Sequence, residues 1–214
     1  MATPTTSSEG IFVWVPKTAG TSIHKLLATH GCPLLMSPSQ FSSFSNQGLV
    51  TFGHCGVLDV LASGGLTRDY FARAFKFCFV RNPWDRLVSL FFYLKQNRHQ
   101  AVRHYEDFSA FCLDLETVNI PPVGSYNSKG LSQARPQLDW LVDDAGELFV
   151  DFAGRYESLD RDVKHICQVL GITGELVQSN CSKHRPYQEY YDARTRNIVA
   201  KTYRTDIEKF GYEF

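Results

Sequence analysis

The sequence has no surplus of charge, since Lys+Arg and Asp+Glu both number 22. A chain so balanced sets up no global field for nucleic acid or an anionic membrane, so any anion site must be local. There is no C-x-x-C pair either. The six cysteines, Cys32, Cys55, Cys78, Cys112, Cys167 and Cys181, are scattered. That spacing argues against a zinc site or a disulfide framework, and four of the six sit in or beside apolar runs, as small buried hydrophobes do. No apolar run approaches the ~20 residues that span a bilayer. The opening "MATPTTSSEG" lacks the apolar core of a signal peptide. Internal repeats and low-complexity linkers are absent as well. These absences lead us to expect a reduced, cytoplasmic protein with no membrane span, a disordered polar tail over residues 1–10 and one domain over 11–214. A length of 214 residues, 43% of them hydrophobic, suffices for one sizeable core and is too short for two full domains.

One more absence bears on chemistry. A Walker A loop reads G-x-x-x-x-G-K-[ST], with the lysine directly after its last glycine. The chain contains "VPKTAGTS" instead, with Lys17 three residues before Gly20. The surroundings are nevertheless those of a phosphate loop. "IFVWV" reads as a strand buried on both faces, and "TSIHKLLATHG" as a helix stopped by Gly31. Backbone N–H groups of a loop entering a helix point at whatever lies on its N-terminus, where the helix dipole favours an anion. Gly20 lets the backbone come close, Thr21 and Ser22 add hydroxyls, and Lys17 can neutralise an oxygen. A plain polar helix entry is the alternative reading.

Further along, "LVTFGHCGVLDVLASGG" predicts a short strand, a turn from Gly53 to Gly56 and a helix. "FKFCFV" is a second buried strand. It leads into "RNPWDRLVSLFFYLKQN", where Asn82 can cap, Pro83 suits the first helical position and Asp85 favours the positive end. Leu87, Phe91 and Leu94 form its apolar stripe, while Asp85, Ser89 and Tyr93 share another face. "YEDFSAFCLDLE" predicts a helix, residues 120–135 a long loop, and "LFVDFAGRYESL" a strand entering the helix "DRDVKHICQVLGI". Helices and an aromatic tail close the chain. Strands alternating with helices imply an α/β fold with a mainly parallel sheet covered on both faces.

Arg81, directly after "FKFCFV", suits bidentate phosphate binding, or else pairs with a carboxylate such as Asp85 or Glu157. His54, in a glycine-flanked turn after a strand, stands where α/β active sites gather, and histidine can take a proton near neutral pH. A structural turn histidine is the alternative. His24, His99, His104 and His165 read as ordinary surface residues.

Taken together, "PKTAGTS" and "RNPWDRLVSLFFYLK" resemble the two nucleotide motifs of sulfotransferases that use 3′-phosphoadenosine 5′-phosphosulfate (PAPS). The likeness is closest to the carbohydrate branch, with its heparan sulfate 2-O- and 6-O- and HNK-1 type enzymes. The tail "YYDARTRNIVAKTYRTDIEKFGYEF" is similar to that family's common D-x-E-x-F-G-Y ending. The resemblance runs from Phe12 to Phe214, with the region between Arg98 and Phe149 unmatched. It implies a P-loop-like three-layer fold. It also implies 5′-phosphosulfate binding by Lys17, Thr18, Ala19, Gly20, Thr21 and Ser22, and 3′-phosphate binding by Arg81 and Ser89. The "G-H" stretch is similar to the one carrying the catalytic histidine of the 2-O-sulfotransferases, which makes His54 the general base and Lys17 its catalytic partner. Lys183, His184 and Arg185, in "SKHRPYQEYY", are similar in position to a basic loop that closes over the nucleotide. Glu157, in "GRYESL", resembles a strand-end glutamate that fixes the fold. The implied reaction moves a sulfuryl group from PAPS to the hydroxyl of a carbohydrate, glycolipid or small metabolite, releasing adenosine 3′,5′-bisphosphate (PAP), and needs no metal. A P-loop kinase using ATP and Mg²⁺ and a non-catalytic nucleotide-binding domain stand as alternatives.

Overall fold

The computed structural model describes residues 9–115, 133–177 and 184–214. Five strands, β1 (Gly10–Trp14), β2 (Leu34–Leu35), β3 (Leu49–Gly53), β4 (Phe75–Val80) and β5 (Phe152–Arg155), form one sheet in the order β2-β3-β1-β4-β5. Every pairing in it is parallel. Helices α1 (Gly20–Ala28), α2 (Pro38–Ser43), α3 (Val57–Ala62), α4 (Arg68–Arg73), α5 (Pro83–Gln96), α6 (Phe108–Leu113), α7 (Leu159–Leu170), α8 (Ala193–Thr202) and α9 (Arg204–Phe210) complete it.

Strand alternation splits the core into two layers. Ile11, Val13, Val50, Phe52, Cys78 and Val80 face α2, α3 and α4 through Phe41, Val57, Val60 and Tyr70. Phe12, Phe77 and Phe79 face the other way, onto Ile23, Leu26 and Leu27 of α1 and Val163, Ile166 and Leu170 of α7. Both sheet faces are therefore covered, as the continuous apolar runs predict. A third cluster joins α5, α6 and α8 around Phe91, Phe111 and Tyr203.

Local chemistry explains the well-formed elements. Asn82 accepts from the Trp84 N–H with Pro83 at the first helical position, so α5 starts where its cap predicts. Gly171, at φ 67°, ends α7 in the left-handed conformation that glycine adopts without strain. β2, α2 and α4 are absent from the sequence reading, and each is too short to show a period. The loop expected over 120–135 lies largely outside the described residues. Of the tail expected over 1–10, Gly10 already belongs to β1 and Glu9 pairs with Arg73. The five described cysteines are free and buried, as apolar side chains are; Cys181 lies outside the described residues. Among the described residues no helix is long and apolar enough to cross a membrane.

The register decides where function can sit. Trp14 at the end of β1 is level with Gly53 at the end of β3, and Val80 at the end of β4 is level with Arg155 at the end of β5. The phosphate-type loop, His54, Arg81 and Tyr156 each follow one of these ends. Residues far apart in sequence thus meet at the carboxyl edge of a parallel sheet, where ligands of such sheets bind.

Candidate active site

A cavity of about 660 Å³ opens at that edge. Lys17, Ala19, Gly20, Thr21 and Ser22 form one wall, His54 sits beside them, and Arg81, Ser89 and Tyr93 form the wall supplied by β4 and α5. Most residues singled out in the sequence therefore come together. Thr18 does not reach the cavity. It is fully buried, and its hydroxyl donates to the Val15 carbonyl at 2.8 Å, which closes the turn from inside.

The loop holds two non-glycine residues in left-handed conformation, Lys17 at φ 68° and Ala19 at φ 66°. Such strain is held only where the surroundings over-determine it, and it gathers at ligand sites. The Ser22 N–H turns back to the Ala19 carbonyl at 2.9 Å, so the helix is closed from its first turn. The N–H groups of Gly20 and Thr21 precede that first bond and stand at the positive end of α1.

Gly20 is needed for a reason other than the one read from the sequence. A Cβ there would fall 1.9 Å from Nε1 of Trp14. The indole fills the side-chain space of Gly20, so the glycine serves packing between β1 and α1. Trp14 also stacks on His24 (centroids 6.3 Å apart) and meets the His54 ring (5.1 Å). His24 is accordingly not a surface residue. It is half-buried, its Nδ1 lies 3.0 Å from the Thr51 hydroxyl, and burial lowers its pKa.

His54 occupies the left-handed region too, at φ 57°. Burial pushes its pKa down to about 4, opposed by a hydrogen bond to the Trp14 backbone and aided by the nearby Lys17 cation. The ring is therefore neutral at pH 7, and its ionisation lies below the ordinary histidine range expected from sequence. Among the described residues its Nδ1 is buried without a hydrogen-bond partner, as is Nε1 of Trp140, whose ring contacts it with centroids 6.5 Å apart.

Lys17 is shifted as well, down to about 8, first by burial and then by the Arg81 guanidinium. Its Nζ lies 3.9 Å from the centroid of the Tyr93 ring, a cation–π contact that replaces part of its lost hydration. Arg81 is 6% exposed. Its Nε donates to Asp85 Oδ2 at 2.8 Å, its Nη1 to the Lys17 carbonyl at 3.4 Å, and its face lies 4.0 Å over the Tyr156 ring. The sequence alternatives for Arg81 are thus compatible, because one edge is paired with Asp85 while the residue still lines the cavity. Glu157 accepts from the Asn82 N–H at 2.6 Å and from the Tyr212 hydroxyl at 3.2 Å, a structural clamp of the kind the sequence suggests.

Of the basic cluster near the C-terminus, the described members His184 and Arg185 are not on the cavity wall. His184 stacks on Phe92 (centroids 6.0 Å), and Arg185 pairs with Glu189 at 3.0 Å and lies over Tyr190. Lys183 lies outside the described residues. Conversely, the wall contributed by the junction of β5 and α7, with Tyr156, Ser158 and Arg161, was not singled out in the sequence. Its only signal is its place after a strand end. Trp14 was likewise read only as part of an apolar run.

Comparison with known proteins agrees with this architecture. The fold is shared with mouse sulfotransferase SULT7A1, whose crystal structure is a complex with PAP. The two superimpose with a TM-score of 0.58 at 12% identity over 95% of this chain and 86% of that one. A sulfotransferase from Alicyclobacillus acidocaldarius overlays with a TM-score of 0.49 at 17% identity, over 97% of this chain and 98% of the other. An uncharacterized protein of Archaeoglobus fulgidus is 26% identical over 114 residues, which are 53% of this chain and 82% of that protein. The sequence model of the sulfotransferase family matches residues 9–213, nearly the whole chain. The protein is a member of the sulfotransferase family.

Proposed function

We propose that the protein transfers a sulfuryl group from PAPS to an acceptor hydroxyl, borne by a carbohydrate, glycolipid or small metabolite. The observation that supports this most directly is electrostatic. Two cations, Lys17 and Arg81, stand close enough in one cavity for the second to depress the pKa of the first. A ligand carrying separated anionic groups relieves that repulsion, which is what a bisphosphate nucleotide brings. PAPS when bound would supply the sulfuryl group, with PAP as the leaving group.

The chain's own groups then divide the work. The N–H groups of Gly20 and Thr21, the hydroxyls of Thr21 and Ser22 and the Lys17 ammonium receive the 5′ end, where donors placed in advance meet charge as it develops. Arg81 and Ser89 receive the 3′-phosphate, with Asp85 and the Tyr156 ring holding the guanidinium. His54, neutral at pH 7, accepts the proton of the acceptor hydroxyl. We leave His184 and Arg185 out of this contact set.

Calorimetry with PAP and 5′-AMP tests the reading. PAP should bind about tenfold to a hundredfold more tightly, the typical worth of a charge-assisted pair of ~1.5–3 kcal/mol, and Arg81→Ala should abolish the difference. Equal affinity of the wild type for the two nucleotides removes the 3′-phosphate from Arg81. A protein that binds ATP with Mg²⁺ and not PAP overturns the assignment of PAPS as its donor.

A further inference from the structure

The C-terminal D-x-E-x-F-G-Y ending takes no part in the chemistry above, yet its first residue is among the most buried polar groups of the molecule. Asp206 is fully buried. It accepts from the Gln137 N–H at 2.8 Å, from Gln137 Nε2 at 3.3 Å and from the Leu138 N–H at 2.9 Å. These bonds fix Gln137, also fully buried, in one orientation. The side-chain amide of Gln137 then bonds both backbone groups of a single residue. Oε1 accepts from the Arg81 N–H at 2.9 Å, and Nε2 donates to the Arg81 carbonyl at 2.8 Å. The amide acts as a neighbouring strand at the point where β4 ends.

The next residue is held from the same tail. The Asn82 side chain donates to the Glu213 carbonyl at 2.7 Å, and the Asn82 N–H reaches Glu157, which Tyr212 also bonds. Three bonds to the backbone at 81–82 and one to the Asn82 side chain therefore hold this junction, all made by the tail or by groups that it orients.

We propose that Asp206 and Gln137 are positioning residues for Arg81, and that the C-terminal segment exists in part to aim this guanidinium into the cavity. The inference rests on the reading of Arg81 as the 3′-phosphate ligand. Its chemical logic is specific to glutamine. Arg81 presents one donor and one acceptor, and a primary amide offers the complementary pair from one planar group in a single, non-titrating state. A glutamate would set a second carboxylate against Asp206 and an acceptor against the Arg81 carbonyl. A methionine fills the same volume and bonds neither group.

The test is calorimetric titration of PAP and 5′-AMP into wild type, Gln137→Met, Arg81→Ala and the double variant, each first checked for a cooperative melt. Gln137→Met should weaken PAP by about tenfold and leave 5′-AMP within about twofold, because the disturbance is confined to the 3′-phosphate ligand. In the Arg81→Ala background the same substitution should cost PAP nothing further, since two residues acting through one contact are not additive. Equal weakening of both nucleotides, or additive losses in the double variant, shows a merely structural glutamine and overturns the proposal. So does a folded Gln137→Met that binds PAP as wild type does. Should Gln137→Met fail to fold, Asp206→Asn is read against the same criteria, with a smaller selective loss of about threefold expected. A wild type that does not distinguish PAP from 5′-AMP overturns the functional reading of Arg81 and this inference with it. A wild-type preference that is lost in Arg81→Ala but survives undiminished in Gln137→Met overturns this inference alone.

Discussion

The Lys17 ammonium is held at a pKa of about 8 by burial and by the Arg81 cation beside it. A bound bisphosphate reverses that balance, because opposite charge favours the protonated form. Between pH 7 and pH 9 the free protein therefore loses the Lys17 proton while the complex keeps it. The sign follows directly. Binding takes up a proton at high pH, so affinity falls as pH rises through about 8 and is flat below about 7. For one group titrating at about 8, the dissociation constant of PAP should rise about tenfold from pH 7 to pH 9, or ~1.4 kcal/mol. At pH 8 about half a proton should be taken up per PAP bound. Titrations in two buffers of different ionisation enthalpy measure that uptake, and titrations across the pH range measure the slope. Lys17→Arg supplies the control, since a guanidinium stays charged throughout and should flatten the profile. A wild-type affinity that does not change from pH 7 to pH 9 refutes the reasoning. So does a slope that persists unchanged in Lys17→Arg, because the titrating group then lies elsewhere.

Three other expectations follow from the same geometry. His54→Ala should keep PAP affinity within about twofold while steady-state sulfation falls by ~10²–10⁴, and the wild-type rate should rise near pH 4–5, not through the ordinary histidine range. The unfolded chain protonates His54 near its ordinary pKa and the folded one only near 4, so stability present above pH 6.5 is lost as pH falls towards 4. By linkage the loss is at most about 3 kcal/mol, and urea midpoints of wild type against His54→Gln should converge at acid pH if it arises there. Gly20→Ala drives a methyl into the Trp14 indole. It should cost ~1–3 kcal/mol by overpacking, with part of it recovered in thermal melts when Trp14→Leu is added, and no recovery would place the strain elsewhere.

The reach of the sequence differs from one part of the site to another, and the reason is physical. Lys17, His54 and Arg81 were legible because each is a reactive residue type within a few positions of a strand end, and strand ends are read from local apolar runs; Ser89, inside α5, was named only by the spacing of the family motif. The fold followed from the same runs, since continuous burial implies a parallel sheet with two covered faces. Short elements carry no period, and so Leu34–Leu35 and the six-residue helices at Pro38–Ser43 and Arg68–Arg73 went unseen. Tyr156 and Arg161 sit at a strand end that was recognised, but nothing in their type marks them as cavity residues.

Trp14 shows a different limit. Its apolar character was plain, whereas its fit into the side-chain space of Gly20 depends on how a strand folds back against the helix that follows it. Gln137 is the extreme case. In "QARPQ" it is one polar residue of a loop, and its meaning lies in partners 56 and 69 positions away. Buried polar groups must find partners or cost the fold dearly. A fully buried glutamine and a fully buried aspartate that satisfy one another are therefore under strong structural constraint wherever they stand. What lifts this pair above that constraint is the third partner, the backbone of Arg81. The pair makes its remaining hydrogen bonds to the residue that we propose it aims. On the proposed reading, motifs near strand ends name the groups that meet the ligand, while long-range hydrogen bonds such as these decide whether those groups point at it.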